Sequence, residues 1–126
     1  MFTENVFINK NTDELKRYIL KLGYVYSGTD VKTDGPYKSL YCSSSGRFYE
    51  MYSSSCPSRP TPVINCGDNE ELFKALIALR NDNDRNQWFV DDTHGIWEKT
   101  ESELPSRYMQ MEGHKATREE IIEKFK

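Results

Sequence analysis

A strand-like triplet followed by a turn and a capped helix occurs twice in this chain, and any fold must place both copies. Val6-Phe7-Ile8 with Asn11-Thr12-Asp13-Glu14-Leu15 aligns without gaps, 57 positions on, with Val63-Ile64-Asn65 and Asp68-Asn69-Glu70-Glu71-Leu72. Asn11 and Asp68 stand where a side-chain oxygen accepts a free N–H of a first helical turn, and Glu14 and Glu71 follow three residues later to reach back. Thr117 with Glu120 repeats this capping box after the strand-like run Tyr108 to Met111. The pattern predicts helices over residues 12–22, 69–80 and 118–125.

The three helices differ in what they bury. Leu15, Tyr18, Ile19 and Leu22 form one apolar stripe, and Gly23 supplies a left-handed stop. Apolar residues from Leu72 to Leu79 cover most of the second helix, which is therefore either the most buried of the domain or half of a self-association surface. Phe73 and Ile77 lie off the stripe of Leu72, Ala75, Leu76 and Leu79, so they are the expected contacts of a homodimer. Ile121, Ile122 and Phe125 give the third helix a short stripe that needs tertiary packing.

Strand signals fill the intervals. Tyr24 to Tyr26 follows the first helix; Ser39 to Cys42 and Arg47 to Tyr52 flank a Ser-Ser-Ser-Gly turn; Gln87 to Val90 and Ile96 to Glu98 flank Asp-Asp-Thr-His-Gly. The expectation is a two-layer α+β domain with an antiparallel sheet, two main helices and a short C-terminal helix. Residues 1–52 and 63–126 read as β-α-β-β pseudo-repeat halves of one domain, joined by the Ser/Pro-rich connector 53–62. Leu, Ile, Val and Phe supply only 26 of 126 residues, yet a net charge of −3 and 13% aromatic content argue against disorder. Tyrosine must then serve as core material.

Several functions are excluded by what is missing. The longest apolar stretch, Ala75 to Leu79, is five residues, far short of the ~20 needed to span a bilayer. No cationic leader with an apolar run opens the sequence, so a cytoplasmic protein is expected. Cys42, Cys56 and Cys66, odd in number and irregular in spacing, suit reduced thiols. A pI near 5.4 lacks the basic excess of nucleic-acid binding, although residues 1–62 carry +2 and residues 63–126 carry −5.

No arrangement specifies a reaction, and no catalytic residue, metal or cofactor is expected. Cys56 or Cys66 with His94 or His114 would make a thiol nucleophile and base, and Cys66 precedes a helix start, where thiolate is favoured. A small buried residue at the end of a strand explains Cys66 better. Asp91, Asp92 and His94 lie together, but adjacent carboxylates diverge on extended chain, and a hairpin turn accounts for them. Neither phosphate-binding glycine motif occurs. For a ligand, Arg59 among the serines of the connector offers charge-assisted contact to an anion, and Tyr49, Tyr52 and Trp88 offer stacking faces.

The stretch Asn65-Cys66-Gly67-Asp68-Asn69-Glu70-Glu71-Leu72-Phe73-Lys74-Ala75-Leu76, continuing to Asn86-Gln87-Trp88-Phe89, and the C-terminal His114-Lys115-Ala116-Thr117-Arg118-Glu119-Glu120-Ile121-Ile122-Glu123-Lys124-Phe125 resemble small uncharacterised accessory proteins of phages and prophages of gut bacteria. The resemblance covers about a third of the chain and brings no catalytic residues. It implies a non-enzymatic binding protein in the host cytoplasm that captures a host protein or a small anionic signalling molecule, with a counter-defence role. The alternative is a small enzyme acting on nucleotides or nucleic acid through Cys66 or the Asp91/Asp92/His94 turn.

Overall fold

A computed structural model describes residues 5–31, 36–55, 63–81 and 83–126. In chain order the elements are β1 (Val6–Ile8), α1 (Asp13–Lys21), β2 (Val25–Val31), β3 (Tyr37–Cys42), β4 (Arg47–Ser53), β5 (Ile64–Asn65), α2 (Glu70–Ile77), β6 (Trp88–Asp91), β7 (Trp97–Lys99), α3 (Arg107–Glu112), β8 (Gly113–Lys115) and α4 (Arg118–Phe125). The fold is α+β. No helix among the described residues is long and apolar enough to cross a membrane.

The strands form two sheets rather than one. A five-stranded sheet has the order β2-β4-β3-β1-β5, and a three-stranded antiparallel sheet has the order β7-β6-β8. The larger sheet is mixed: β3 is antiparallel to β1 and β4, while β1 pairs in parallel with β5 and β2 with β4. The helix α1 accounts for the parallel β2–β4 pair, because it returns the chain over the sheet and lets β2 run in the direction of β1 and hence of β4. Both expected hairpins form, β3–β4 and β6–β7.

The two repeat copies lie side by side. Val6 is opposite Ile64 and Phe7 opposite Asn65, and Cys66 N–H donates to the Phe7 carbonyl at 2.8 Å. This pairing is one residue out of step with the gapless sequence alignment. Each helix is also capped one residue later than expected, by Thr12 on the Leu15 N–H (3.2 Å) and Asn69 on the Leu72 N–H (3.1 Å). Glu14 and Glu71 thereby leave the position of a reciprocal cap and remain as favourable charges in the first turn. Only at α4 does the full box form, Thr117 accepting from Glu120 N–H and Glu120 from Thr117 N–H.

After α1, Gly23 turns left-handed at φ 98°, and the N–H groups of Gly23 and Tyr24 bond back to the carbonyls of Leu20 and Ile19. This double closure pins the exit of the helix. It delivers Tyr24 to the core, where its hydroxyl donates to the Ile77 carbonyl at 3.3 Å, satisfying an end group of α2.

Two expectations fail. Tyr108 to Met111 is the helix α3, not a strand, capped by Ser106 on the Met109 N–H. Phe73 and Ile77 are 0% exposed in a single chain, so they offer no self-association surface. The flank of α2 left open by its stripe is covered within the chain, with α4 packed along it and β1 beneath. One apolar cluster runs from Val6, Ile8 and Leu40 through α1 and α2 to Ala116 and Ile121, and Trp88, Trp97 and Phe125 pack against it.

Leu76→Ala is expected to lower unfolding free energy by about 2–5 kcal/mol in chemical denaturation, the usual range for a buried leucine. Phe73→Glu is expected to unfold the chain, because it buries a charge with no partner. Circular dichroism and sedimentation of that variant check the assignment: a folded protein that merely loses a dimer would contradict the burial described here.

Candidate functional site

Where α1, α2, the small sheet and the end of α4 meet, Tyr18, Glu71, Lys74, Ala75, Trp88, Lys99 and Phe125 line a cleft of about 280 Å³. Local geometry brings each of them there. Tyr18 stands at the edge of the α1 stripe, and Glu71, Lys74 and Ala75 occupy one face of α2 at i, i+3 and i+4. Trp88 and Lys99 are directly opposed across β6 and β7, so they emerge on the same face of the small sheet. Phe125 closes the end from α4, its ring 5.3 Å from that of Trp88 and 6.5 Å from that of Trp97.

Two ammonium groups enter this aromatic space. Lys74 Nζ lies 5.5 Å and Lys99 Nζ 5.8 Å from the centre of the Tyr18 ring, within the range of attraction to a π face. Lys74 is shared with Glu70 at 3.1 Å and Glu14 at 3.9 Å. Lys99 has no ion pair among the described residues. Burial pushes the Tyr18 hydroxyl up to about 12, so it stays protonated and donates to the Lys74 carbonyl at 3.4 Å. Among the described residues the lining contains no serine, cysteine or histidine. The cleft thus combines two ammonium groups and the Glu71 carboxylate with aromatic walls.

The expected ligand residues do not converge. Trp88 is in the cleft. Tyr49 lies on the opposite face of the large sheet beside Tyr41, with ring centres 6.0 Å apart. Tyr52 faces the helix side of β4, and its hydroxyl donates to Glu50 at 3.3 Å while Lys38 Nζ stands 6.0 Å over its ring. Arg59, with Cys56 and most of the connector, lies outside the described residues.

Glu50 is a polar hub that sequence reading missed. Besides Tyr52 it accepts from Asn11 Nδ2 at 3.0 Å, Lys16 Nζ at 3.1 Å and Thr29 Oγ1 at 3.4 Å. Burial alone would raise its pKa, but hydrogen bonds from Asn11, Lys16 and Tyr26 outweigh that cost and hold the carboxyl down at about 2. The available signal was its place in β4, where an acidic residue alternates with Phe48 and Tyr52 on the helix-facing side. Its bonding capacity is filled, and the hub anchors α1 to the large sheet.

The enzymatic candidates are equally accounted for. Cys66 is 6% exposed, and burial pushes its thiol up to about 12, the reverse of what a nucleophile requires. Asp91 is 3% exposed and accepts from the backbone N–H groups of His94 and Thr93 and from the Tyr108 hydroxyl. These bonds, led by that from His94, hold its pKa at about 2. Asp92 turns away to His114 Nδ1 at 2.5 Å. Among the described residues no group of three His, Cys, Asp or Glu side chains could hold a metal ion. Comparison with protein-family models, curated proteins and solved structures finds no match to the chain.

His114 joins two elements, because its Nε2 also meets Glu120 of α4 at 2.9 Å. Hydrogen bonds to Glu120 and Asp92 raise its pKa above the ordinary 6.5. The imidazolium therefore stabilises the fold fully below 6.5, and that contribution is lost as pH rises through the higher folded value. Thermal melts are expected to show wild-type stability falling over this window, with His114→Asn flattening the slope; parallel pH profiles for the two proteins would show that the bridge is not formed.

Proposed function

We propose that this protein is a non-enzymatic binder of a small planar anion, held in the cleft between Tyr18, Lys74, Trp88 and Lys99. The observation that carries this reading is the entry of two lysine ammonium groups into an aromatic-walled cleft, one of them without a carboxylate among the described residues. An anion there gives the Lys99 ammonium an ionic partner, and a ring gains stacking on Trp88 or Phe125. The volume of about 280 Å³ is at the low end for small-molecule sites, which suits a single ring with an acidic group rather than a dinucleotide. The resemblance to phage and prophage accessory proteins supports a setting inside a bacterial host, where a small anionic signalling molecule is the ligand and its capture serves counter-defence.

Calorimetric titration of mononucleotides, cyclic mononucleotides and aromatic carboxylates is the direct test. One class is expected to bind saturably, and Lys99→Ala to weaken it by about ten- to a hundredfold, matching about 1.5–3 kcal/mol for a charge-assisted contact. Heat from none of them, or unchanged affinity in Lys99→Ala, overturns the assignment.

A further inference from the structure

The aromatic cluster that backs the cleft has a second side. A groove of about 460 Å³ opens over Trp97, and its remaining lining comes from α4: Glu119, Glu120, Glu123 and Lys124. Its floor is almost wholly apolar. Lys124 Nζ stands 5.7 Å over the Trp97 ring, so the chain already places an ammonium group on this indole face. Three carboxylates share the lining of the groove with that cation. Glu119 also meets Arg118 at 3.0 Å and Glu123 meets Lys126 at 3.6 Å, at exposed positions where such pairs exchange readily. Glu120 is held by His114 and the Thr117 N–H.

A free strand edge borders the same groove. β7 is the outer strand of the small sheet, and no described strand lies beyond it. The Ile96 carbonyl accepts from Asp91 N–H, while Thr100 exchanges backbone bonds with Asn86 and Gln87. The alternation of an antiparallel ladder then turns the backbone N–H and C=O groups of Trp97 and Lys99 away from β6. An edge of this kind accepts another strand.

We propose that the β7 edge and the Trp97 groove dock an extended segment of a partner protein that lays a lysine or arginine side chain against Trp97. The backbone of the segment pairs with β7, its cation takes the place of Lys124 over the indole, and the glutamates select for positive charge. This surface adjoins the anion cleft, sharing Lys99 through its backbone, but it does not depend on an anion being bound there.

The probe is an acetylated, amidated pentapeptide with one central lysine, compared with the same peptide carrying norleucine. Each is titrated into the 15N-labelled full chain while the two indole N–H signals are followed, with Trp97→Phe assigning them. The lysine peptide is expected to shift the Trp97 signal saturably, and the norleucine peptide is not. Binding should weaken several-fold from about 0.1 M to about 1 M salt, as the Debye length falls from about 10 Å to about 3 Å. Glu119→Gln with Glu123→Gln, both exposed, should weaken it likewise. Lys124→Gln should tighten binding more than Lys21→Gln, the same charge change on α1. No saturable shift, an equal response to norleucine, or equal gains from the two lysine variants would overturn the proposal.

Discussion

Both sheets depend on the burial of one short helix. α2 has eight residues, and Phe73, Ala75, Leu76 and Ile77 are all buried. In a chain with so few large aliphatic side chains, concentrating them in one element makes that element the wall against which everything else packs. β1 lies on one side and α4 on another, and the hydroxyls of Tyr18 and Tyr24 close two of its carbonyls. The stripe of α2 that remains outside carries Glu71 and Lys74, so the helix that makes the core also supplies one wall of the cleft.

The polar groups divide into saturated and unsaturated assemblies, and that division separates scaffold from candidate site. Glu50 takes up donors from the α1 entry, β2 and β4, leaving no capacity for a ligand. Asp91 is likewise consumed by its own turn and by α3. In the cleft Lys74 is paired with Glu70 and Glu14, but the Lys99 ammonium rests against the Tyr18 ring with no ion pair among the described residues. A site that binds must keep part of its bonding capacity unspent, at some cost to the free protein.

What could be read from the sequence follows from how local each feature is. The Gly23 stop, the Thr117–Glu120 box and both hairpins are set by neighbours in the chain, and they form as expected. The caps of α1 and α2 shift by one because Asn11-Thr12 and Asp68-Asn69 each offer two competent residues. At α1 the tertiary demand of Glu50 claims Asn11 and leaves the cap to Thr12. For Phe73 and Ile77, periodicity showed that a second flank was apolar but not that α4 of the same chain would cover it. Trp88 was visible as an aromatic residue on a strand. Lys99 was not, because its role arises from a cross-strand pairing that places it beside Trp88 and over a tyrosine from another helix.

The parallel pairing of β1 with β5 also governs the order in which the chain can acquire structure. Val6 meets Ile64 only after the whole first sheet and the connector have been made, and the wall that buries Leu15, Ile19 and Leu22 comes later still. A parallel partner so distant in sequence carries a loop-closure cost that local contacts must first offset. On the ribosome, the N-terminal half therefore emerges with its apolar stripe uncovered and its sheet edge open. It must be kept from neighbouring chains until α2 arrives, so synthesis of this small protein has a vulnerable interval set by topology rather than by size.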